Sequence, residues 1–357
     1  EIYQMKYRLS IAIVMALSIL SFISCDRTIH EYPIPGKSLV ILEFNADRTP
    51  PPYYKKVVFD ETYHSEVIKL NETPSLPYQL GKGYQMRITA EIYDEAGNVV
   101  ERRIVTRPHD ALPPQDTIHV YLPNGKYKVA AFADYIKENE VKDWHYITSD
   151  LTHIGTDLTS YPKNAHLRSC AVGTEDFVID FTLTPEGYPA TAADAYRVIR
   201  DRKIPVYMER PNARYWLKAI DYGDYLLSGG KIEDVTVKII YTQFAAVGYN
   251  VPERRPNKFG TNYSVNVKPE IYISPDRKTV SLALDYIFTS WNEENVVVAD
   301  FHIYDHNKEI SHISNVHIPL LRNHETLLEG YFLTKSFGKD EGIQIDEDFD
   351  GEFVIRI

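Results

Sequence analysis

Apolar and polar positions alternate with period two along most of the chain, in short runs separated by turn residues. In the first half the runs are 39–44, 55–59, 66–70, 84–93, 99–105, 116–122, 126–135 and 176–183. In the second they are 204–209, 213–220, 232–242, 279–288, 295–304, 314–320, 327–334 and 351–357. Each run predicts a strand with one buried face. Asn124-Gly125 predicts a tight hairpin between 117–122 and 127–133, and Ala96-Gly97-Asn98 predicts another between 87–93 and 99–105. No helical pattern is long enough to cross between parallel partners, so the predicted class is all-β, an antiparallel β-sandwich. The pattern breaks at Thr184-Pro185-Glu186-Gly187-Tyr188-Pro189, and the alanine-rich stretch that follows suits a short connecting helix or crossover. The predicted organisation is therefore an N-terminal sandwich over 38–184, a linker over 185–203 and a C-terminal sandwich over 204–357. No fixed-period identity relates the halves. Residues 250–261 are basic and turn-rich and are expected to form an exposed loop.

Ahead of the strands the pattern changes. Lys6 and Arg8 precede an apolar stretch over residues 9–22, and Ser24-Cys25 follows it. A mostly apolar stretch of 14 residues matches a signal core and is too short to span a bilayer stably. Residues 1–24 read as a lipoprotein signal peptide with Cys25 as the lipid attachment site, and the polar residues 25–37, with Pro33 and Pro35, as a tether. Several acyl chains on one cysteine would hold the protein to a membrane essentially permanently.

Composition narrows the partners. Formal charge is 39 − 50 = −11; without residues 1–24, which hold Lys6, Arg8 and Glu1, it is 37 − 49 = −12. An acidic chain of this kind does not suit nucleic acid. The 27 Tyr, 14 Phe and 21 Pro against 4 Met favour strands and turns over helical bundles. Of the two cysteines, lipidation would use Cys25. Cys170 is then expected as a buried small hydrophobe, since its spacing to His166 gives no general-base geometry.

In the second half, Arg210-Pro211-Asn212-Ala213 opens a strand. Nearer the end, Pro319 is followed by Asn323, Thr326, Gly330, Leu333 and Thr334, and then by the 345–351 stretch Ile-Asp-Glu-Asp-Phe-Asp-Gly. Over about residues 205–357 this resembles the fimbrillin-like lipoproteins of the Bacteroidales type, including pilus subunits and fimbrial anchors. The resemblance implies two tandem transthyretin-like β-sandwich domains, no enzymatic activity and no cofactor. It further implies a stalk, tip or anchor role at the outer membrane, with other fimbrial subunits as partners. Physically the motif reads as fold: Asn323 suits a turn, Thr326 a strand, and Gly330 a bulge or close backbone approach. Members of this type polymerise by strand donation after cleavage at an arginine, and Arg48 is the candidate here. Pro50, Pro51 and Pro52 disfavour that cut, so the first strand is expected to stay in place, as in an anchor.

Little else in the chain suggests chemistry. Asp346, Asp348, Asp350 and Gly351 imitate the start of a calcium loop, but the twelfth position is Ile357 and no exiting helix is patterned, so a solvated acidic turn is expected. His302, His306, His312, His317 and His324 crowd the second half, yet His302 and His306 on one strand would stand about 13 Å apart, too far to share a metal. No zinc, phosphate-loop or nucleophile-elbow motif is present. A second reading is a surface lipoprotein that captures glycans with exposed aromatics, drawn from Tyr53, Tyr54, Trp144, Tyr146, Trp216, Tyr222 and Trp291. Trp216 is expected to be buried, Trp144 and Trp291 exposed.

Overall fold

The computed structural model describes residues 37–47, 49–59, 65–70, 83–108, 115–159, 165–180, 203–268, 273–291 and 293–334. Cys25, Arg48, the 185–203 linker up to residue 202, the 345–351 stretch and the last predicted strand lie outside these residues. Residues 37–39, 121–124 and 179–180 group with a small separate unit, and the other described residues form the main one.

Strands dominate, and they run in order as β1 (Ser38–Ala46), β2 (Tyr53–Phe59), β3 (Ser65–Lys69), β4 (Tyr84–Asp94), β5 (Val99–Pro108), β6 (Gln115–Leu122) and β7 (Gly125–Lys137). Next come β8 (Tyr146–Ile147), β9 (Ile154–Thr156), β10 (Ala171–Ile179), β11 (Lys203–Met208) and β12 (Asn212–Ala219). A single-turn helix, α1 (Tyr222–Leu227), precedes β13 (Val235–Tyr241), β14 (Ala245–Asn250), β15 (Arg255–Gly260) and β16 (Tyr263–Val267). The series closes with β17 (Val280–Phe288), β18 (Glu294–Asp305), β19 (Lys308–Leu321) and β20 (Glu325–Gly330).

Two sheets, β17-β12-β20-β2-β3 and β16-β13-β18-β19, share one core. Strand β13 shows why: Val235, Val237, Ile239 and Tyr241 are buried while the residues between them are half-exposed. Phe301 and Ile303 of β18 flank them in the same sheet, and Tyr215 and Leu217 of β12 and Leu328 of β20 join the core from the other. Val57 and Phe59 of β2 belong to the same core. Strand β2 lies parallel to β20, from Tyr53 opposite Glu325 to Val58 opposite Glu329, and carries β3 as an antiparallel partner.

Pairing thus crosses the boundary expected at 185–203. Strand β1 pairs in parallel with β11, Ile41 opposite Lys203 through Ala46 opposite Met208, in a sheet of order β11-β1-β6. Strands β8 and β9 join β14 and β15 in another. Antiparallel pairing prevails, with parallel pairs at β1·β11, β2·β20 and β12·β20. A strand edge presents unpaired N–H and C=O groups, and here the edge of β20 is satisfied by a segment some 270 residues earlier in the chain, which no local pattern encodes.

Other expectations change with register. The Ala96-Gly97-Asn98 turn does join β4 to β5, with Gly97 at φ +83° and Asp94 Oδ1 accepting the N–H of Ala96 and Asn98 at 3.0 and 2.8 Å. Asn124-Gly125, by contrast, makes no hairpin: β6 and β7 lie in different sheets. The basic 250–261 segment is not all loop, because Arg255–Gly260 pairs with β14 as β15.

The sheet β10-β7-β4-β5 is buried on both faces along β4 and β7. One face is apolar, with Met86, Ile88, Ala90 and Ile92. The other carries Arg87, Thr89 and Glu91 and is roofed by the segment after β7. Arg87 holds Asp134 through two bonds of 2.9 and 2.7 Å and reaches Asp143 at 2.7 Å and the Val141 carbonyl at 3.1 Å. Period-two alternation along β4 therefore marks a buried polar face on which Arg87 and Glu91 are paired.

Candidate functional site

The motif residues of the second half meet in space. Arg210 and Pro211 form the bend between β11 and β12, and Asn323 the bend between β19 and β20. Asn323 sits at φ +56°, a conformation asparagine tolerates better than most residues, and its N–H donates to the Asn212 carbonyl at 2.9 Å. Its side-chain oxygen accepts from Arg210 Nη1 at 3.0 Å, and Arg210 Nε donates to Ser169 Oγ at 3.2 Å. Arg322 reaches Glu209 at 3.1 Å and lies 3.6 Å from the centre of the Trp291 ring, with Arg254 over the same ring at 4.8 Å. The hydroxyl of Thr326 donates to the Pro319 carbonyl, and the Glu325 carboxylate takes the buried Arg214 guanidinium.

At the far end of β20, Gly330 permits a close approach. A Cβ there would stand 2.7 Å from the Phe332 ring and 3.0 Å from Phe59 Cβ. Gly330→Ala is expected to cost about 1–3 kcal/mol, the range for an overpacked core, measured as a lower urea midpoint at unchanged slope. Asp221, which sequence reading passed over, explains why the motif continues to Thr334. It is buried ahead of α1, and instead of capping that helix its carboxylate accepts the N–H groups of Phe332, Leu333 and Thr334 at 3.2, 2.9 and 2.8 Å and the Thr334 hydroxyl at 2.8 Å. These residues fasten strand ends.

A second knot joins the 165–168 turn to β17. Arg168 pairs with Asp285, both essentially inaccessible. Asp285 also accepts the Tyr241 hydroxyl at 2.5 Å and the Tyr286 N–H at 2.7 Å, and Tyr241 shares a 2.7 Å hydroxyl contact with Tyr215. Nearby, Cys170 is free and buried, with Asn212 Nδ2 3.3 Å from its sulfur. Burial pushes its thiol well up, so it is poorly suited to act as a thiolate nucleophile.

Burial, helped by the charges of Arg168 and His166, drives the His145 imidazole down to about 3. The unfolded chain takes up this proton below pH 6.5, whereas the folded chain resists until about pH 3. The stability from His145 is thus complete above pH 6.5 and is lost as pH falls from there toward 3. The wild type is expected to lose about 2 kcal/mol by pH 5 relative to His145→Gln, at about 1.4 kcal/mol per pH unit, read from urea unfolding of both proteins at each pH.

The aromatic set forms no common platform. Tyr146, Trp216 and Tyr222 are buried. Trp144 is half-buried and stacks on Tyr84 with centroids 5.3 Å apart, while Trp291 is half-buried and covered by arginine. Tyr54 bonds the Glu294 carboxylate. A cavity of about 550 Å³ does open beside β7, lined by Tyr127 and Phe177 with Lys126, Lys128, Asp94 and Glu253. Among the described residues no helix is long and apolar enough to cross a membrane.

A family model described as a family of unknown function, DUF6562, matches residues 53–357. The chain belongs to that family. The match begins at β2 and so takes in the segment that completes the β20 sheet. No curated protein matches the chain. Among solved structures, a candidate adhesin of Bacteroides thetaiotaomicron is 14% identical over 76% of this chain and 81% of its own, with a TM-score of 0.36. The fimbrial anchor protein Mfa2 of Porphyromonas gingivalis is 11% identical over 73% and 82%, with a TM-score of 0.34. A fimbrial assembly protein of Parabacteroides distasonis is 10% identical over 84% and 92%, with a TM-score of 0.33. At such scores the superpositions carry no argument on function.

Proposed function

We propose that this member of the DUF6562 family is a non-enzymatic surface lipoprotein, a fimbrial structural, tip or anchor subunit that works by strand association and adhesion. The observation that carries this reading is the place of β1. It is the middle strand of the β11-β1-β6 sheet, with Val40, Leu42 and Phe44 buried, and it is supplied by the first described segment of the chain. A cut between β1 and β2 would release it from the main unit and leave a gap flanked by two strand edges. An extended segment of another subunit fits such a gap by main-chain hydrogen bonding and alternate-side pockets.

The Cys25 lipid and the Arg48 segment set the two outcomes. With Pro50–Pro52 after it, Arg48 is expected to stay uncut, which keeps β1 in place and the lipid attached, as an anchor requires. Membrane-bound material should then begin at Cys25 on N-terminal sequencing and carry other subunits in heat-labile, SDS-resistant ladders. Strictly monomeric protein under assembly conditions, with no ladder before or after treatment with an arginine-specific protease, would overturn the reading.

A further inference from the structure

Two histidines meet on the outer face of the β18–β19 hairpin. His302 and His312 stand directly opposite each other in register, with rings stacked at 4.0 Å between centroids and 17° between planes. Two bulges bracket the pair. One sets Asp300 against the Ser314-Asn315 kink, where Asn315 takes φ +54° and its N–H donates to Asp300 Oδ1 at 2.7 Å. The other shifts the register between Ile303 and Tyr304 and brings Glu309 alongside. Bulges re-aim side chains, and these two bring both carboxylates to the imidazoles.

The spacing separates two interpretations. His302 Nδ1 is buried and makes no hydrogen bond, facing Glu309 Oε1 at 3.5 Å, and His312 Nδ1 faces the same oxygen at 3.8 Å. Those distances are too long for an imidazolium–carboxylate hydrogen bond. A metal site needs donors that converge, and here those are Asp300, His302 and His312. Ligand atoms of Asp300, His302 and His312 all lie within 4.8 Å of one another. His312 Nε2 contacts Ser314 Oγ at 2.9 Å, the kind of outer contact that fixes a ligating tautomer, and the Asn315 N–H does the same for Asp300. Lys238 of β13 lies opposite His302 and opposes a cation, against the two carboxylates.

We propose that His302 and His312, with Asp300 as the third ligand and Glu309 as a neighbouring carboxylate, form a binding site for a divalent transition cation of the zinc class, tying β18 to β19. Zinc chloride titrated calorimetrically into the full chain should saturate at one equivalent. His302→Gln and His312→Gln should each weaken binding by on the order of tenfold or more, and His306→Gln, in the hairpin turn beside Asp234 and Asp305, should leave it unchanged. Both ligand variants are on the solvent face, and their far-UV circular dichroism should match the wild type. In the wild type itself, cobalt should give the ligand-field absorption of a four-coordinate nitrogen and oxygen site. The absence of that band, zinc binding that survives in the His302→Gln/His312→Gln double variant, or loss on His306→Gln alone would each overturn the proposal.

Discussion

Asp285→Ala is expected to destabilise the chain by about 3–5 kcal/mol, the cost of leaving a buried charge without its partner. The value follows from the surroundings of the Arg168–Asp285 pair. Neither side chain reaches solvent, and Asp285 also anchors the Tyr241 hydroxyl and, through it, Tyr215. Removing the carboxylate strands a guanidinium in the core and releases both hydroxyls. Arg168→Met/Asp285→Leu should cost less than Asp285→Ala, because an apolar pair of similar volume carries no desolvation penalty. Urea unfolding of the three proteins checks this. A domain of ordinary stability has about 5–15 kcal/mol to lose, so the single variant should also fall markedly in melting temperature. A loss under about 1 kcal/mol for Asp285→Ala would mean that the pair is wetter and weaker than its burial indicates.

The second large effect concerns residues 204–357 taken alone, which are expected not to unfold cooperatively. The fragment lacks β2, and with it the ladder along β20, the Val57 and Phe59 side chains, and the contacts of Lys56 with Glu329 and Lys55 with Glu294, each at 2.9 Å. Truncating Phe59 alone should cost about 3–5 kcal/mol. The fragment also bares the β20 edge beside Leu328. Circular dichroism against urea should show a broad, shallow change, and a peptide of residues 49–70 added in trans should sharpen it. A steep transition in the unaided fragment, close to that of the full chain, would show that β2 is dispensable.

Much of the fold could be read in the sequence, and the limits of that reading are physical. Alternation located most strands because each buries one face. The Asp94–Asn98 turn was legible since its geometry is set by five adjacent residues. Gly330 and Asn323 announced themselves because close approach and positive φ each narrow the choice of residue. Parallel pairing of β2 with β20 was not legible, since the two strands are joined by nothing local and either could have met another edge. Strand β15, Arg-Pro-Asn-Lys-Phe-Gly, has loop composition and owes its pairing to β14. Asp221 had no local signal, because the backbone groups it ties down, at residues 332–334, lie more than a hundred residues away. The histidine pair was hidden for the same reason. His302 and His312 are ten residues apart, and only the register of two bulged strands sets them face to face.

The place of β1 is the centre of the functional account, and strand uptake tests it most directly. A protease site engineered into residues 47–52 would be cut in the purified chain, and the product mixed with a fluorescent peptide of residues 38–46. The account expects the peptide to replace β1 and to remain with the chain through SDS electrophoresis without heating, while a peptide with Leu42 and Phe44 changed to aspartate does not. Failure of the cut chain to take up the peptide while it stays folded, or equal retention of the aspartate peptide, would contradict it.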